Sequence, residues 1–151
     1  MKGAIIMNRN SNRPTMPSME QGPAPFVTDI EKMTRQNTNY RTALWTGQKL
    51  QLTLMCIPAG DEIGLEVHPD TEQFLRIENG SGMVMMGPSE NRLHCKQPIS
   101  DGCAVLIPAG TWHNIVNTGT CPLKLYTVYA PPHHPRGIVQ SAKACADAHQ
   151  G

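Results

Sequence analysis

Short apolar or alternating segments, separated by turn-forming residues, fill most of the chain after Tyr40. The separators include Pro58-Ala59-Gly60, Asn79-Gly80 and Pro108-Ala109-Gly110, and such combinations favour turns. No helical period of apolar residues lies between the segments, so the pattern predicts an all-β fold, an antiparallel sandwich or barrel. The predicted strands cover residues 41–45, 49–57, 62–68, 73–78, 82–86, 104–107, 113–117 and 123–130.

The residues on either side of this region have a different character. Residues 8–25 contain four prolines among Asn, Ser and Met, and such a segment propagates neither a helix nor a central strand. Thr28 and Glu31 form a capping-box pattern, which predicts a short helix over residues 29–37. We therefore divide the chain into a flexible N-terminal arm (1–25), a barrel domain (26–136) and a C-terminal tail (137–151), in which a loose helix could form.

Charge and cysteine content narrow the possible partners. Thirteen Lys and Arg against twelve Asp and Glu give a formal net charge of +1 in 151 residues, too little to attract nucleic acid or an anionic membrane. The apolar run at residues 4–7 is too short for a secretion signal or a spanning helix. The five cysteines are widely spaced and form no CxxC pair, so neither a disulfide framework nor a zinc knuckle is indicated. We expect a cytoplasmic protein that binds neither nucleic acid nor membrane.

Side chains that can bind a metal ion lie in two stretches, residues 60–80 and 102–117. Successive side chains of a strand point to opposite faces, so Glu66 and His68 are expected on one face, two residues apart. Such a pair can chelate a cation. His113 follows a tight turn and would enter the barrel at the start of another strand.

The identity of the metal ligand that follows His68 depends on the register of the next strand. If Gln73 faces inward, Leu75 and Ile77 do so as well, whereas an inward Glu72 would bring Arg76 into the barrel. Alternation therefore favours Gln73 as the inward residue, with Glu72 as the alternative ligand.

The second stretch resembles the second sequence motif of the cupin superfamily. Gly102, five residues, Pro108, one residue, Gly110, two residues, His113, three residues and Asn117 match every specified position of that motif.

The first stretch resembles the first cupin motif in its spacing, with Gly60 and Gly80 at its ends. His68 matches a metal-binding position directly. Glu66 stands where the family usually has His, and Gln73 where it usually has Glu. Phrases such as LEVHPD and PAGTWHN are similar to small single-domain RmlC-like cupins of type 2, and the resemblance covers about residues 40–135.

This resemblance implies a double-stranded β-helix, or jelly-roll, barrel that holds one divalent metal ion; the short N-terminal helix and the extended arm predicted above lie outside the resemblance. The implied ligands are Glu66, His68, Gln73 and His113. One carboxylate, two imidazoles and one amide oxygen suit Fe, Mn, Ni or Zn as divalent ions and disfavour Cu(I). A neutral Gln binds metal more weakly than Glu, so an open coordination position for a substrate is expected.

Two classes of function are compatible with such a centre. One is an enzyme that acts on a small polar metabolite, either a dioxygenase, because two His and one carboxylate suit Fe(II) oxygenases, or a sugar isomerase or lyase. The alternative is a non-catalytic cupin that binds a metal or a sugar.

Other polar residues are predicted to have structural roles. His133 and His134 lie in a proline-rich stretch and are predicted to be in a solvated loop. Tyr126 and Tyr129 lie on opposite faces of their strand, so at most one looks into the barrel.

An outward apolar run, finally, suggests assembly. If Glu66 and His68 face inward, Ile63, Leu65 and Val67 face outward, and a homodimer would cover them.

Overall fold

The computed structural model describes residues 17–143. Within this range one short helix precedes nine β-strands. In chain order the elements are α1 (Ile30–Gln36), β1 (Arg41–Thr46), β2 (Gln51–Ile57), β3 (Glu72–Asn79), β4 (Ser81–Gly87), β5 (Cys95–Ser100), β6 (Ala104–Ile107), β7 (Trp112–Asn117), β8 (Leu123–Ala130) and β9 (Val139–Gln140).

The strands form two antiparallel sheets. The larger has six strands in the order β6-β3-β8-β2-β1-β9, and the smaller has three in the order β5-β4-β7. Strands distant in sequence lie side by side, as β2 and β8 do, which is the arrangement of a double-stranded β-helix. The predicted all-β barrel with a short N-terminal helix is confirmed.

The hydrophobic core lies between the two sheets, because both sheets contribute to it. Along β3 and β8 every second residue is buried, as expected for strands with one face against a core. The core residues are Tyr40, Met55, Ile57, Leu75, Ile77, Val84, Ile99, Val105, Ile107, Ile115, Leu123 and Leu125.

One predicted strand is wrong. Residues 62–68 form only two isolated bridges, at Glu62 and Glu66, both to β7. Gly64 interrupts the segment with φ +107°, a conformation that a regular strand does not contain. As a result Ile63 packs against the core instead of facing outward, whereas Leu65 is 41% exposed.

The sequence did not predict strands β5 and β9, and it placed the start of α1 one residue too early. β5 contains Pro98 and is mostly exposed, so it lacks an apolar alternation; it lies at a sheet edge, where proline is tolerated. β9 pairs with β1 inside the predicted tail, and residues 144–151 of that tail lie outside the described residues. The helix begins one residue later than the capping box implies, because Asp29 is the N-cap and accepts from the Lys32 N–H.

The described part of the predicted arm, residues 17–25, runs along β1. The Glu20 carboxylate accepts hydrogen bonds from the Thr46 N–H at 2.6 Å, the Thr46 hydroxyl at 2.8 Å and the Gly137 N–H at 3.0 Å. The Trp45 indole donates to the Ala24 carbonyl at 2.7 Å. This segment therefore joins β1 to the chain that leads into β9. The boundaries after residues 25 and 136 stay predictions.

Within residues 17–143 no helix has both the length and the apolar character needed to cross a membrane.

Candidate metal centre

The segment that carries Glu66 and His68 is held against β7 by backbone hydrogen bonds. The Glu66 N–H donates to the His113 carbonyl at 3.0 Å, and the His113 N–H donates back to the Glu66 carbonyl at 2.9 Å. The Gly110 N–H donates to the His68 carbonyl at 2.9 Å. These contacts bring the two sequence stretches together at one point of the barrel.

A residue that the sequence analysis missed, Asn114, helps to hold this segment. Its Oδ1 accepts from the Gly64 N–H at 2.9 Å, and its Nδ2 donates to the Glu62 carboxylate at 2.6 Å. Asn114 thus ties down the turn at Gly64 that precedes Glu66. No sequence signal identified Asn114, because it directly follows His113 and strand alternation puts it on the face of β7 opposite to His113.

Three ligand atoms converge where the segments meet. The Glu66 Oε2 atom lies 3.6 Å from His68 Nε2 and 3.5 Å from His113 Nε2. All three ligand atoms lie within 4.8 Å of one another. The structure therefore brings together three of the four predicted ligands in a cluster that can hold a metal ion.

The two imidazoles present their Nε2 atoms without hydrogen-bond partners. His68 and His113 are 6% and 2% exposed, and both Nε2 atoms are buried and have no hydrogen-bond partner among residues 17–143. His113 Nδ1 lies 2.9 Å from the Thr111 carbonyl, so Nδ1 carries the proton and Nε2 keeps its lone pair. Buried polar atoms normally have partners, and an unpaired imidazole nitrogen beside a carboxylate fits a metal ligand.

The Glu66 carboxyl is held in its charged form. Burial raises its pKa, but electrostatic interactions with the adjacent His113 and His68 side chains outweigh burial, so the pKa lies well below its usual range. A carboxylate is the form that binds a cation.

Gln73 faces the interior, as the alternation predicts. Gln73, Leu75 and Ile77 are buried, whereas Glu72 and Arg76 are exposed. The Gln73 Nε2 atom donates to Thr127 Oγ1 at 3.0 Å, which leaves Oε1 buried without a partner. An amide oxygen in this state is a suitable metal ligand, and Glu72 points away from the interior.

His133 and His134 lie in a loop, as predicted, and His134 is only partly exposed. The His133 ring, although exposed to solvent, lies 4.0 Å from the His68 ring, centroid to centroid. His134 Nε2 lies 3.2 Å from the hydroxyl of Tyr129. Burial, and next the charge of Arg41, lower the pKa of His134 to about 2. Both histidines therefore border the site, although neither belongs to the cluster of three within the described residues.

Tyr129 is the tyrosine of β8 that looks into the barrel. It is 1% exposed, and its ring lies 6.0 Å from that of His68. Burial is the main reason that its pKa is raised to about 12. Tyr126 lies on the other face, next to Phe74.

The remaining motif residues have structural roles. Asn117 Nδ2 donates to the carbonyls of Ile57 and Cys121, and its Oδ1 accepts from the Gly119 N–H. Gly110 has φ +81° in the turn before β7, a conformation that side chains other than Gly rarely adopt. These residues set the path of the chain on which His113 lies.

The fold and the cluster define a β-barrel protein of the double-stranded β-helix class with a candidate metal centre. A family model described as a cupin domain matches residues 53–129. The chain belongs to the cupin family, in its type-2 group.

Three similar proteins illustrate this relationship. The uncharacterized protein YrkC of Bacillus subtilis is 54% identical over 85% of this chain and 69% of its own length. The crystal structure of BH2720 from Bacillus halodurans has a TM-score of 0.85 and 55% identity, and the match covers 86% of this chain and 98% of that one. A chain of B. subtilis oxalate decarboxylase, which was studied for its Mn(II) centres, has a TM-score of 0.54 and 18% identity over 59% of this chain and 23% of its own. The last likeness concerns the fold alone.

Proposed function

We propose that this cupin holds one divalent transition-metal ion through Glu66, His68 and His113, with the Gln73 amide oxygen as the fourth protein ligand. The observation that carries the proposal is the convergence of Glu66 Oε2 with two buried imidazole nitrogens that have no other partner. The unpaired Gln73 oxygen on β3 supports the fourth ligand. The fit is chemical as well as geometric, because two imidazoles, a carboxylate and an amide form the mixed donor set of Fe, Mn, Ni and Zn sites.

The proposed activity is an enzymatic reaction on a small polar metabolite that contacts the metal through an oxygen atom. When bound, the metal would supply Lewis acidity at that oxygen. Residues of this chain would prepare the site. Thr111 fixes the His113 tautomer, Glu66 contributes negative charge, and the buried Tyr129 ring excludes water beside His68.

The type of reaction depends on the metal. Two His and one carboxylate are the set used by Fe(II) oxygenases, so iron would favour a dioxygenase, whereas Mn, Ni or Zn would favour a sugar isomerase or lyase. The oxalate decarboxylase of similar fold is a protein with Mn(II) centres, which supports manganese as one of the candidate metals. We further propose that the protein acts in the cytoplasm as a homodimer whose partner is a small molecule, not nucleic acid or membrane.

The deciding experiment is elemental analysis of protein purified without chelator or added metal, followed by O₂ uptake with a panel of hydroxy acids and sugars. About one metal ion per chain and turnover of a panel member are expected. Stoichiometric metal without turnover of any kind would favour the non-catalytic metal- or sugar-binding cupin. A metal content near zero that added Fe, Mn, Ni or Zn does not restore would refute the metal centre.

A further inference from the structure

Arg41, on β1, is a buried cation without a carboxylate partner. Its side chain is 2% exposed, and in the described range 17–143 no Asp or Glu oxygen lies within 4.0 Å of its guanidinium. Its Nε atom is buried and makes no hydrogen bond. An uncompensated buried charge is costly, so a position of this kind calls for a bound anion.

The contacts that Arg41 does make are neutral. Its Nη1 atom donates to the Gln140 side-chain oxygen at 2.6 Å, its Cζ atom lies 5.2 Å from the centroid of the Tyr40 ring, and its charge acts on Tyr129. Arg41 shares the inward face of the larger sheet with Thr53 of β2, whose buried hydroxyl has no partner among the described residues. A neutral amide and a neutral aromatic ring orient a guanidinium without neutralising its charge.

Tyr129 relates Arg41 to the candidate metal centre. The charge of Arg41 acts on this tyrosine, whose ring lies 6.0 Å from the His68 ring and 5.5 Å from the His133 ring. Arg41 also acts electrostatically on His134, whose Nε2 contacts the Tyr129 hydroxyl. The unpaired Nε donor of Arg41 and the candidate ligand His68 are therefore linked through the same buried tyrosine.

We propose that Arg41 binds the carboxylate of a small hydroxy- or oxo-acid whose second oxygen lies at the metal centre. The inference rests on the proposed function and narrows its substrate class from polar metabolites to small carboxylic acids. A guanidinium matches a carboxylate with two parallel hydrogen bonds, and it stays charged at any pH the protein meets. Its single charge, with the Glu66 carboxylate nearby, suits a monoanionic group better than a phosphate dianion.

The first test compares two probes of similar size, the anion glycolate and the neutral glycolamide. Their binding to the full-length protein is measured by isothermal titration calorimetry. Glycolate is expected to bind at least about tenfold more tightly than glycolamide. Equal binding of the two probes, or no binding of glycolate at 50 mM, would overturn the proposal, and this comparison needs no variant that must fold.

The second test assigns the effect to Arg41. Arg41→Gln should weaken glycolate binding about tenfold or more, leave glycolamide binding unchanged and leave the metal content of the purified protein unchanged. Arg41→Lys should retain part of the preference for glycolate over glycolamide, because lysine keeps the positive charge but lacks the planar pair of donors. A glycolate affinity in Arg41→Gln equal to that of the unmodified protein would overturn the proposal.

A control separates anion binding from a structural role at β9. Gln140→Ala removes the neutral partner of Arg41 but leaves the guanidinium, so the preference for glycolate over glycolamide should persist. Its loss in Gln140→Ala to the same extent as in Arg41→Gln would show that Arg41 only holds β9. Inorganic phosphate is a third probe, and phosphate binding tighter than that of glycolate would overturn the choice of a carboxylic acid.

Metal content and charge preference together distinguish a failure of the Arg41 proposal from a failure of the proposed metal centre. Stoichiometric metal with no charge preference would refute the role of Arg41 alone. A glycolate preference that depends on Arg41, in a protein that contains no metal and takes up no added Fe, Mn, Ni or Zn, would refute the metal centre and leave anion binding by Arg41 intact.

Discussion

The Gln73 side chain of β3 donates a 3.0 Å hydrogen bond to the Thr127 hydroxyl of β8, and this bond orients its amide. With the NH₂ group engaged, the oxygen is the free end and is buried without a partner. The neighbouring side chain, Glu72, is exposed on the other face of the strand. Substitutions at Gln73 and at Glu72 can therefore test which of the two residues is the fourth metal ligand.

Gln73→Glu should tighten metal binding, on the order of tenfold, because a charged oxygen replaces a neutral one at an inward position. Glu72→Gln, the matched control, should leave metal affinity unchanged because its side chain faces solvent. Competition with a chelator measures both. Loss of metal in Glu72→Gln, together with an unchanged affinity in Gln73→Glu, would contradict the assignment.

Removal of either imidazole should empty the centre. His68→Ala and His113→Ala are each expected to lose most of the bound metal, measured by elemental analysis, and the stabilisation that the metal gives to the folded state. In the unmodified protein, removal of metal by a chelator should therefore lower the Tm. The exposed His94 is the control, and His94→Ala should change neither property. Equal metal content in His113→Ala and in the unmodified protein would refute the site.

Glu20 should contribute to stability although it lies in the predicted arm. Glu20→Ala removes the acceptor for Thr46 and Gly137, so we expect a loss of about 2 kcal/mol in the free energy of unfolding, measured with urea. The exposed Glu90, changed to Ala, is the matched control and should have little effect. A chain starting at Phe26 should be destabilised at least as much as Glu20→Ala. Unchanged stability in both would mean that this segment adds only peripheral contacts.

The homodimer remains a prediction, and two exposed leucines allow its interface to be located. Leu65 is 41% exposed near Glu66, and Leu106 is 69% exposed on β6 at the edge of the larger sheet. Leu65→Asp should convert dimers to monomers or aggregates by light scattering, since an unpaired charge in an apolar interface costs on the order of a few kcal/mol. Leu106→Asp should leave the dimer intact. The opposite result would place the interface at β6, and a monomeric unmodified protein would refute the dimer.

Local spacing was sufficient to predict much of the fold and the site. His68, Gln73 and His113 were predicted to face inward, and all three are buried. The period of two along β3 decided between Gln73 and Glu72, because a shift of one residue would expose Leu75 and Ile77. Glu66 also joins the cluster, although not through the alternation of a regular strand, since Gly64 interrupts its segment.

The sequence by itself determined the all-β class and the inward positions of the candidate residues, because these depend on alternation and turn chemistry over short stretches. The resemblance to the two cupin motifs implied the ligand set. Only the tertiary structure decided that Tyr129 and His133 lie next to His68 and that the buried Arg41 acts on Tyr129. Their contacts join residues far apart in the chain, and they depend on how β1, β2 and β8 pair, including the register shift in β1 between Ala43 and Trp45. Pairing of distant strands is set by the packing of the whole barrel, so no local pattern indicates that a buried arginine acts on the tyrosine next to His68.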